Sequence, residues 1–235
     1  MSEDTWDLAL FPLNTVLFPG MELPLHIFED RYRLMINECL AGNGDFGVLL
    51  AGAATEDDGL VIGQAVGKVP ASLGGGTSAR ITHVERLEDG RMDILTTGMQ
   101  RFRVLQLLRI KPYVIGRVEG FPLADADSPQ VTELTSQVAA LFTQYLRLAG
   151  EVLGNLIQIG TMPRDASGLA CTIAMGLQVS LREKQQLLTI RTLPRLLWAE
   201  SRIMGREVTL LKRMRQVQES NVGYVPGPTG YLSLS

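Results

Sequence analysis

The residues best suited to phosphate chemistry are four basic side chains in the first half of the chain, with two aromatic rings beside them: Arg101, Arg103, Arg109 and Lys111, with Phe102 and Tyr113. Cations that contact phosphates, next to rings that stack on bases, are typical of an RNA-binding strand surface. The alternation of basic and apolar residues at positions 101–104 also fits a strand whose Phe102 and Val104 face a core while its arginines are solvated. We favour that second interpretation, because residues 1–125 carry 11 basic and 17 acidic side chains.

Motifs for catalysis or cofactor binding are weak. The stretch GQAVGK at positions 63–68 resembles a phosphate-binding loop, but such a loop has four residues between its glycines and Ser or Thr after the lysine. Here there are three residues, and Val69 follows. His26 and His83 have no metal-ligand spacing, and there is no G-x-S-x-G sequence for serine catalysis. We therefore predict no catalytic residues, no metal and no cofactor.

Composition indicates an ordinary globular protein of two modest units. The 235 residues are 46% hydrophobic and 20% charged, with a net charge of −3, which does not favour a polyanion-binding protein. Residues 126–218 are mildly basic, with 11 basic and 7 acidic side chains, in contrast to the acidic first half. Cys39 and Cys171 are expected to be reduced core thiols. An acidic N-terminus and the lack of ~18 consecutive apolar residues predict a cytoplasmic protein.

The first half has the pattern of a mostly antiparallel β unit with one helix. Proline cannot donate to a β-ladder, so the three prolines of FPLNTVLFPGMELPLHIFEDRYRLM predict two short strands, Ala9–Leu13 and Met21–Ile27, joined by a turn at positions 18–20. A helix over Glu29–Leu40 follows. Further strands include positions 46–50, a β-like stretch at 59–73, a hairpin that turns at Asp89-Gly90, and strands near 101–104 and 113–118.

The second half has helical periodicity throughout. Four helices are predicted from their N-terminal signals: Ser128 before Pro129, Asp165 after Pro163, the capping box of Ser180 with Glu183, and Thr192. The final residues hold glycines and prolines without a helical period. We therefore predict an α+β chain with a β domain at residues 1–125, an all-α helical bundle at 126–217 and a flexible tail at 218–235.

The opening segment LFPLNTVLFPGMELPLHIFEDRYRLMINECL resembles the N-terminal domain family of Lon protease. The likeness continues through FGVLL, VGKVPASL and ARITHVERLEDGRMDILTTGMQRFRV, and then into the helical half. It implies a PUA-like β-barrel followed by a helical bundle, and a role in selecting unfolded or tagged polypeptides. Since the chain ends at Ser235 and has no Walker A sequence, we expect neither the ATPase nor the protease activity of full-length Lon.

Three functions are compatible with this resemblance. The first, which we prefer, is a non-catalytic module that binds exposed apolar polypeptide segments or docks on a protein partner such as a protease. Its expected contact residues lie in the apolar turn and the adjacent helix start: Leu17, Phe18, Met21, Phe28, Arg31 and Tyr32. The alternative is RNA binding through Arg101 and Arg103, since PUA-like folds occur in RNA-modifying systems. The third, a remnant ATP-dependent peptidase, lacks the required motifs.

Overall fold

The first half of the chain folds into a six-stranded sheet that carries one helix. The computed structural model describes residues 5–51, 74–154 and 162–222, so the stretches at 59–73 and 63–68 discussed above lie outside the described residues. Helix α1, Asp30–Ala41, lies between the second and third strands. The strands are β1 Thr5–Leu13, β2 Glu22–Ile27, β3 Asp45–Leu50, β4 Gly76–Arg86, β5 Met92–Arg109 and β6 Val114–Gly120.

The sheet closes on itself because β5 is long enough to pair with two strands, β2 and β6, along the same edge. The strand order is β2-β5-β4-β3-β1-β6, and β6 also pairs with β5. The first part of β5 pairs with β2, and its second part, from Phe102 onward, pairs with β6. All pairings are antiparallel except β1 with β3. The expected mostly antiparallel barrel is confirmed, but the predicted strands at 92–98 and 101–104 are one continuous strand.

The predicted proline-containing turn packs directly on β5. Gly20 has φ +81°, and its N–H donates to the carbonyl of Gly98 at 2.8 Å. The N–H of Gly98 donates in turn to the carbonyl of Met21 at 2.8 Å. A Cβ on Gly98 would lie 2.2 Å from the carbonyl oxygen of Phe18, so only glycine permits this approach. The turn is therefore an ordered part of the sheet.

The second half is a bundle of four helices: α2 Pro129–Leu153, α3 Ala166–Gly176, α4 Leu181–Leu188 and α5 Leu193–Val222. The Asp165 carboxylate accepts the N–H of Gly168, and Ser180 with Glu183 forms the predicted capping box. Helices α2 and α5 run in the same direction, because Arg195 lies beside the start of α2 and Arg215 pairs with Glu151 near its end. Helix α5 continues to Val222, so the first residues of the predicted tail are helical.

Three consecutive residues join the two halves. Val16 and Phe18 are buried in the core of the helical bundle, whereas Leu17, between them, is buried in the core of the β-barrel with Ile27 and Phe46. In an extended segment, successive side chains point to opposite sides. The segment that precedes the turn therefore contributes to both cores at once.

Arg101 forms a second link between the halves. Its side chain is only 5% exposed, and its Nη1 donates to the backbone carbonyls of Leu188 and Ile190, each at 2.8 Å. The guanidinium lies over the ring of Phe121, 5.0 Å from its centroid. The expectation that Arg101 is solvated was wrong. Phe102 and Val104 do face the core as predicted, but Arg101 crosses to the helical half because its long side chain reaches the end of α4.

We expect Arg101→Met to destabilise the protein by about 2–4 kcal/mol, because it removes two buried hydrogen bonds from a charged donor and leaves two carbonyls unpaired. The measurement is the free energy of unfolding by urea. Arg117→Met is the matched control, since Arg117 also donates two hydrogen bonds, to Asp7, but in an exposed ion pair. Equal destabilisation by the two substitutions would contradict a special role for the buried arginine.

Helix α5 also buries a carboxyl group. Glu200 is 0% exposed, and neither of its carboxyl oxygens has a hydrogen-bond partner among the described residues. Burial disfavours the charged form and raises the pKa of Glu200 well above 4.5. Since the folded state then binds a proton that the unfolded state releases, stability must fall as the pH rises above about 4.5.

We expect Glu200→Gln to remove this component of the pH dependence, because the amide has no proton to lose. Relative to the unsubstituted protein, the variant should become progressively more stable as the pH rises above about 4.5. Urea unfolding at several pH values in this range measures the effect. Glu88→Gln, which alters an exposed glutamate by the same charge, should show no such trend. A difference between Glu200→Gln and the unsubstituted protein that stays constant with pH would refute the assignment.

Candidate functional site

The candidate site is a groove between the end of β1, the strand β2 and the start of α1. Its volume is about 290 Å³. Its lining combines apolar and aromatic side chains with polar ones: Phe11, Pro12, Leu13, Leu25, Ile27, Phe28 and Tyr32, with Asn14, His26, Glu29 and Arg31. Phe11 and Ile27 are themselves buried, so polar groups supply more than half of the exposed surface of the groove. We name this feature the β1–β2 groove.

Open strand edges flank the β1–β2 groove. Within the described residues, β2 pairs only with β5, so its other edge has no strand partner. Strand β1 pairs with β6 up to Leu10, and from Phe11 to Leu13 its described pairing is with β3 alone. Unpaired backbone N–H and C=O groups at such edges can bind an added strand. The groove therefore offers backbone hydrogen-bonding groups as well as apolar walls.

Aromatic contacts fix one wall of the groove. The rings of Phe11 and Tyr32 are 4.1 Å apart between centroids, and Phe11 also contacts Phe46 in the barrel core at 6.1 Å. The guanidinium carbon of Arg31 lies 4.5 Å from the Tyr32 centroid, and Arg31 Nη2 is 2.7 Å from the Glu29 carboxylate. Burial raises the pKa of Tyr32, so its hydroxyl stays protonated at neutral pH. This wall is apolar with a charge-balanced rim.

Phe28 is the most exposed of the large apolar side chains that the structure describes, at 61%. Its ring stacks loosely on His26, with 6.1 Å between centroids. His26 Nδ1 is 2.6 Å from an Asp93 carboxylate oxygen on the neighbouring strand, which fixes the imidazole beneath it. A single exposed phenylalanine is common on protein surfaces, but Phe28 also lies at the mouth of the β1–β2 groove, where a ligand in the groove can contact its ring.

The structure places the six predicted contact residues in three different settings. Leu17 and Phe18 are 1% and 2% exposed and lie in the two cores, so their side chains are not available to a partner. Phe28, Arg31 and Tyr32 line the β1–β2 groove, while Met21 is half-buried in the nearby turn. Sequence reasoning missed Phe11 and Leu25. The period-two pattern of β1 and β2 places them on strands, but strand periodicity does not show which two strands leave a gap.

The arginines of the RNA-binding alternative and the two cysteines lie outside the β1–β2 groove. Arg101 is buried, and Arg103 is partly exposed but forms an ion pair with the buried carboxylate of Glu119. In the described part of the chain, no cluster of three or more His, Cys, Asp or Glu residues is arranged to bind a metal. Cys39 and Cys171 are buried free thiols as predicted, and burial raises the pKa of each to about 11. A thiol with such a pKa is a poor nucleophile.

No helix among the described residues is long and apolar enough to cross a membrane.

Known proteins share this architecture. A crystal structure of a Lon N-terminal domain protein from Xanthomonas campestris aligns with a TM-score of 0.55 and 25% identity, covering 82% of this chain and 95% of that one. The N-terminal domain of Lon protease from the Mycobacterium avium complex aligns with a TM-score of 0.60 and 20% identity, covering 85% of this chain and 98% of that one. The second likeness concerns the fold alone.

Proteins with similar sequences are also Lon proteases. The chain is 25% identical over 214 residues to a Lon protease of Flavobacterium johnsoniae and 27% identical over 216 residues to one of Trichlorobacter lovleyi. These alignments cover 90% and 91% of this chain but 25% of each relative, so the chain spans about a quarter of their length. The family model for the ATP-dependent protease La (LON) substrate-binding domain matches residues 7–206. The chain therefore belongs to the LON substrate-binding domain family.

Proposed function

We propose that this chain is a non-catalytic module that binds apolar segments of unfolded polypeptides in the β1–β2 groove. The observation that carries the proposal is the exposed Phe28 at the mouth of a groove whose far wall is the packed pair Phe11 and Tyr32. A ring at the entrance and a rigid aromatic wall behind it form an apolar site for side chains that an unfolded chain exposes. Aromatic anchors of this kind dominate binding energy in protein interfaces.

The backbone edges suggest how the polypeptide lies. An extended segment that enters between β1 and β2 can form hydrogen bonds with the open edge of β2, while its alternate side chains reach into the groove. Main-chain hydrogen bonds of this kind do not depend on sequence, and apolar pockets for alternate side chains give only broad selectivity. That combination suits a module that handles many unfolded sequences. Pro24 lies within β2 and removes one possible donor, which limits how far an added strand pairs.

The family supports this function at the level of its description, which is a substrate-binding domain of an ATP-dependent protease. The relatives named Lon protease are about four times longer than the portion that matches this chain. A folded partner, such as a protease, is the second possible occupant of the groove.

We expect Phe28→Asp to weaken binding of an unfolded polypeptide by at least about tenfold, because it places a charge where an apolar contact forms. The probe is fluorescein-labelled, reduced and carboxymethylated α-lactalbumin, which stays unfolded in native buffer, and the readout is fluorescence anisotropy. Binding should persist at about 1 M sodium chloride, since exposed charge pairs are screened there but apolar contacts are not.

The matched control is Leu105→Asp, which alters a 41% exposed apolar side chain that does not line the groove. Its affinity for the unfolded probe should stay within about twofold of that of the unsubstituted protein, since surface positions away from a contact contribute little to the binding energy. Equal losses for the two variants would overturn the assignment to the groove. If no binding of the unfolded probe is detected while Phe28→Asp abolishes capture of one folded protein, the groove is a docking site for that partner and the proposal for unfolded polypeptides fails.

A further inference from the structure

A second and larger cavity lies where the β-barrel meets the helical bundle. Its volume is about 940 Å³, and it shares no lining residue with the β1–β2 groove. Trp6, Phe121 and Leu123 are among the apolar side chains that line it, and Arg101 is the one charged side chain among its described lining residues. We name this cavity the junction cleft. Mostly apolar cavities of ~300–1,000 Å³ with a few polar groups are typical small-molecule sites, and they occur preferentially at domain interfaces.

Arg101, which lines this cleft, leaves part of its hydrogen-bonding capacity unused. Nη1 donates to the carbonyls of Leu188 and Ile190, but Nη2 has no acceptor among the described residues and is screened from water. No described carboxylate forms an ion pair with Arg101 either, whereas Arg103 and Arg117 on the same sheet each have one. A desolvated guanidinium without a counter-ion favours a bound anion, and a carboxylate matches its geometry.

The start of α3 adds to the positive potential of the cleft. Ser167 and Gly168, in the first turn of this eleven-residue helix, line the same cavity. Backbone N–H groups at a helix N-terminus favour negative charge. The Asp165 carboxylate accepts the Gly168 N–H at 2.7 Å, so it caps part of this terminus and sets a limit on the charge that the helix itself contributes. Arg101 is therefore the main source of positive potential in the cleft, and the N-terminus of α3 contributes less.

We propose that the junction cleft binds a molecule in which a carboxylate is joined to an apolar group. The carboxylate lies toward Arg101 and the first turn of α3, and the guanidinium must turn toward the cleft for Nη2 to donate to it. The apolar group lies against Trp6 and Phe121. This site is independent of polypeptide binding in the β1–β2 groove. The carboxylate belongs either to a free small molecule or to the C-terminus of a polypeptide with an apolar last residue.

The fluorescence of Trp6 reports directly on this cleft. Trp198, the second tryptophan, is exposed on α5 outside the cleft, so Trp198→Phe leaves Trp6 as the single tryptophan signal. Four probes are titrated into this variant: 4-phenylbutyrate, its uncharged analogue 4-phenylbutanamide, the peptide acetyl-Ala-Leu-Phe with a free carboxyl group, and the same peptide amidated. We expect at least one carboxylate probe to give a saturable change in Trp6 emission and to bind about tenfold or more tightly than its amide.

A pair of substitutions at Ser167 tests the charge requirement without touching the Arg101 hydrogen bonds. Ser167→Glu places a carboxylate in the cleft at the second position of α3, where acidic residues favour helix formation, so we expect it to fold. It should lower the affinity of the carboxylate probe by about tenfold or more, through repulsion or by occupying Arg101 itself. Glutamine has nearly the same size as glutamate but no charge. The Ser167→Gln variant should therefore bind the carboxylate probe with an affinity within about threefold of that of the Trp198→Phe protein.

The binding results distinguish the two possible sources of the carboxylate, a free small molecule and a polypeptide C-terminus. Binding of 4-phenylbutyrate supports a free small carboxylate, and binding of the free-acid peptide alone supports a polypeptide C-terminus. Equal affinity of acid and amide, equal effects of Ser167→Glu and Ser167→Gln, or no response from any probe would overturn the proposal. Because the Phe28→Asp variant alters only the other site, it should bind the carboxylate probe normally, which distinguishes failure of this inference from failure of the proposed function.

Discussion

A guanidinium buried between a β-barrel and a helical bundle needs hydrogen-bond acceptors, and Arg101 finds two of them on the backbone of the opposite half. Leu188 is the last residue of α4, so its carbonyl is one of the groups that a helix end leaves without an intrahelical partner. The arginine therefore gains a hydrogen-bond acceptor, and the last carbonyl of α4 gains a donor. Nearby contacts reinforce this position, since Gln185 donates to the carbonyl of Gly75 and Leu193 donates to that of Ala124. The orientation of the bundle on the barrel depends on this junction.

The β1–β2 groove depends on the barrel in a different way. Its aromatic wall is held by Phe11, which packs on Tyr32 on one side and on Phe46 in the core on the other. A wall built on strands and core rings loses little conformational freedom when a ligand binds, because its side chains are already fixed. Phe28 at the mouth of the groove is exposed, and its side chain is less constrained by packing than this wall. The groove therefore combines a rigid surface with one adaptable side chain, which suits ligands of differing sequence.

Local signals in the sequence were sufficient to predict most of the secondary structure. Pro24 and Gly20 indicated the division of the first segment into two strands, Asp89-Gly90 indicated the hairpin, and Ser180 with Glu183 indicated the start of α4. These features depend on neighbouring residues only. The position of Arg101 depends on a carbonyl 87 residues further along the chain, and no local pattern indicates it. Strand order likewise decides which edges stay open, so Phe11 and Leu25 could not be assigned to the groove beforehand.

The segment Val16–Phe18 has a consequence for how the protein unfolds. Because neighbouring residues of one short stretch are buried in different cores, the bundle cannot detach without pulling Val16 and Phe18 out of it, and that movement also displaces Leu17 from the barrel. Many two-part chains contain separate cooperative units that open independently. Here the two halves share backbone at the point of contact, so their slowest amide hydrogen exchange should reflect a single global opening. We therefore expect the β-barrel and the helical bundle to unfold together, and not one after the other.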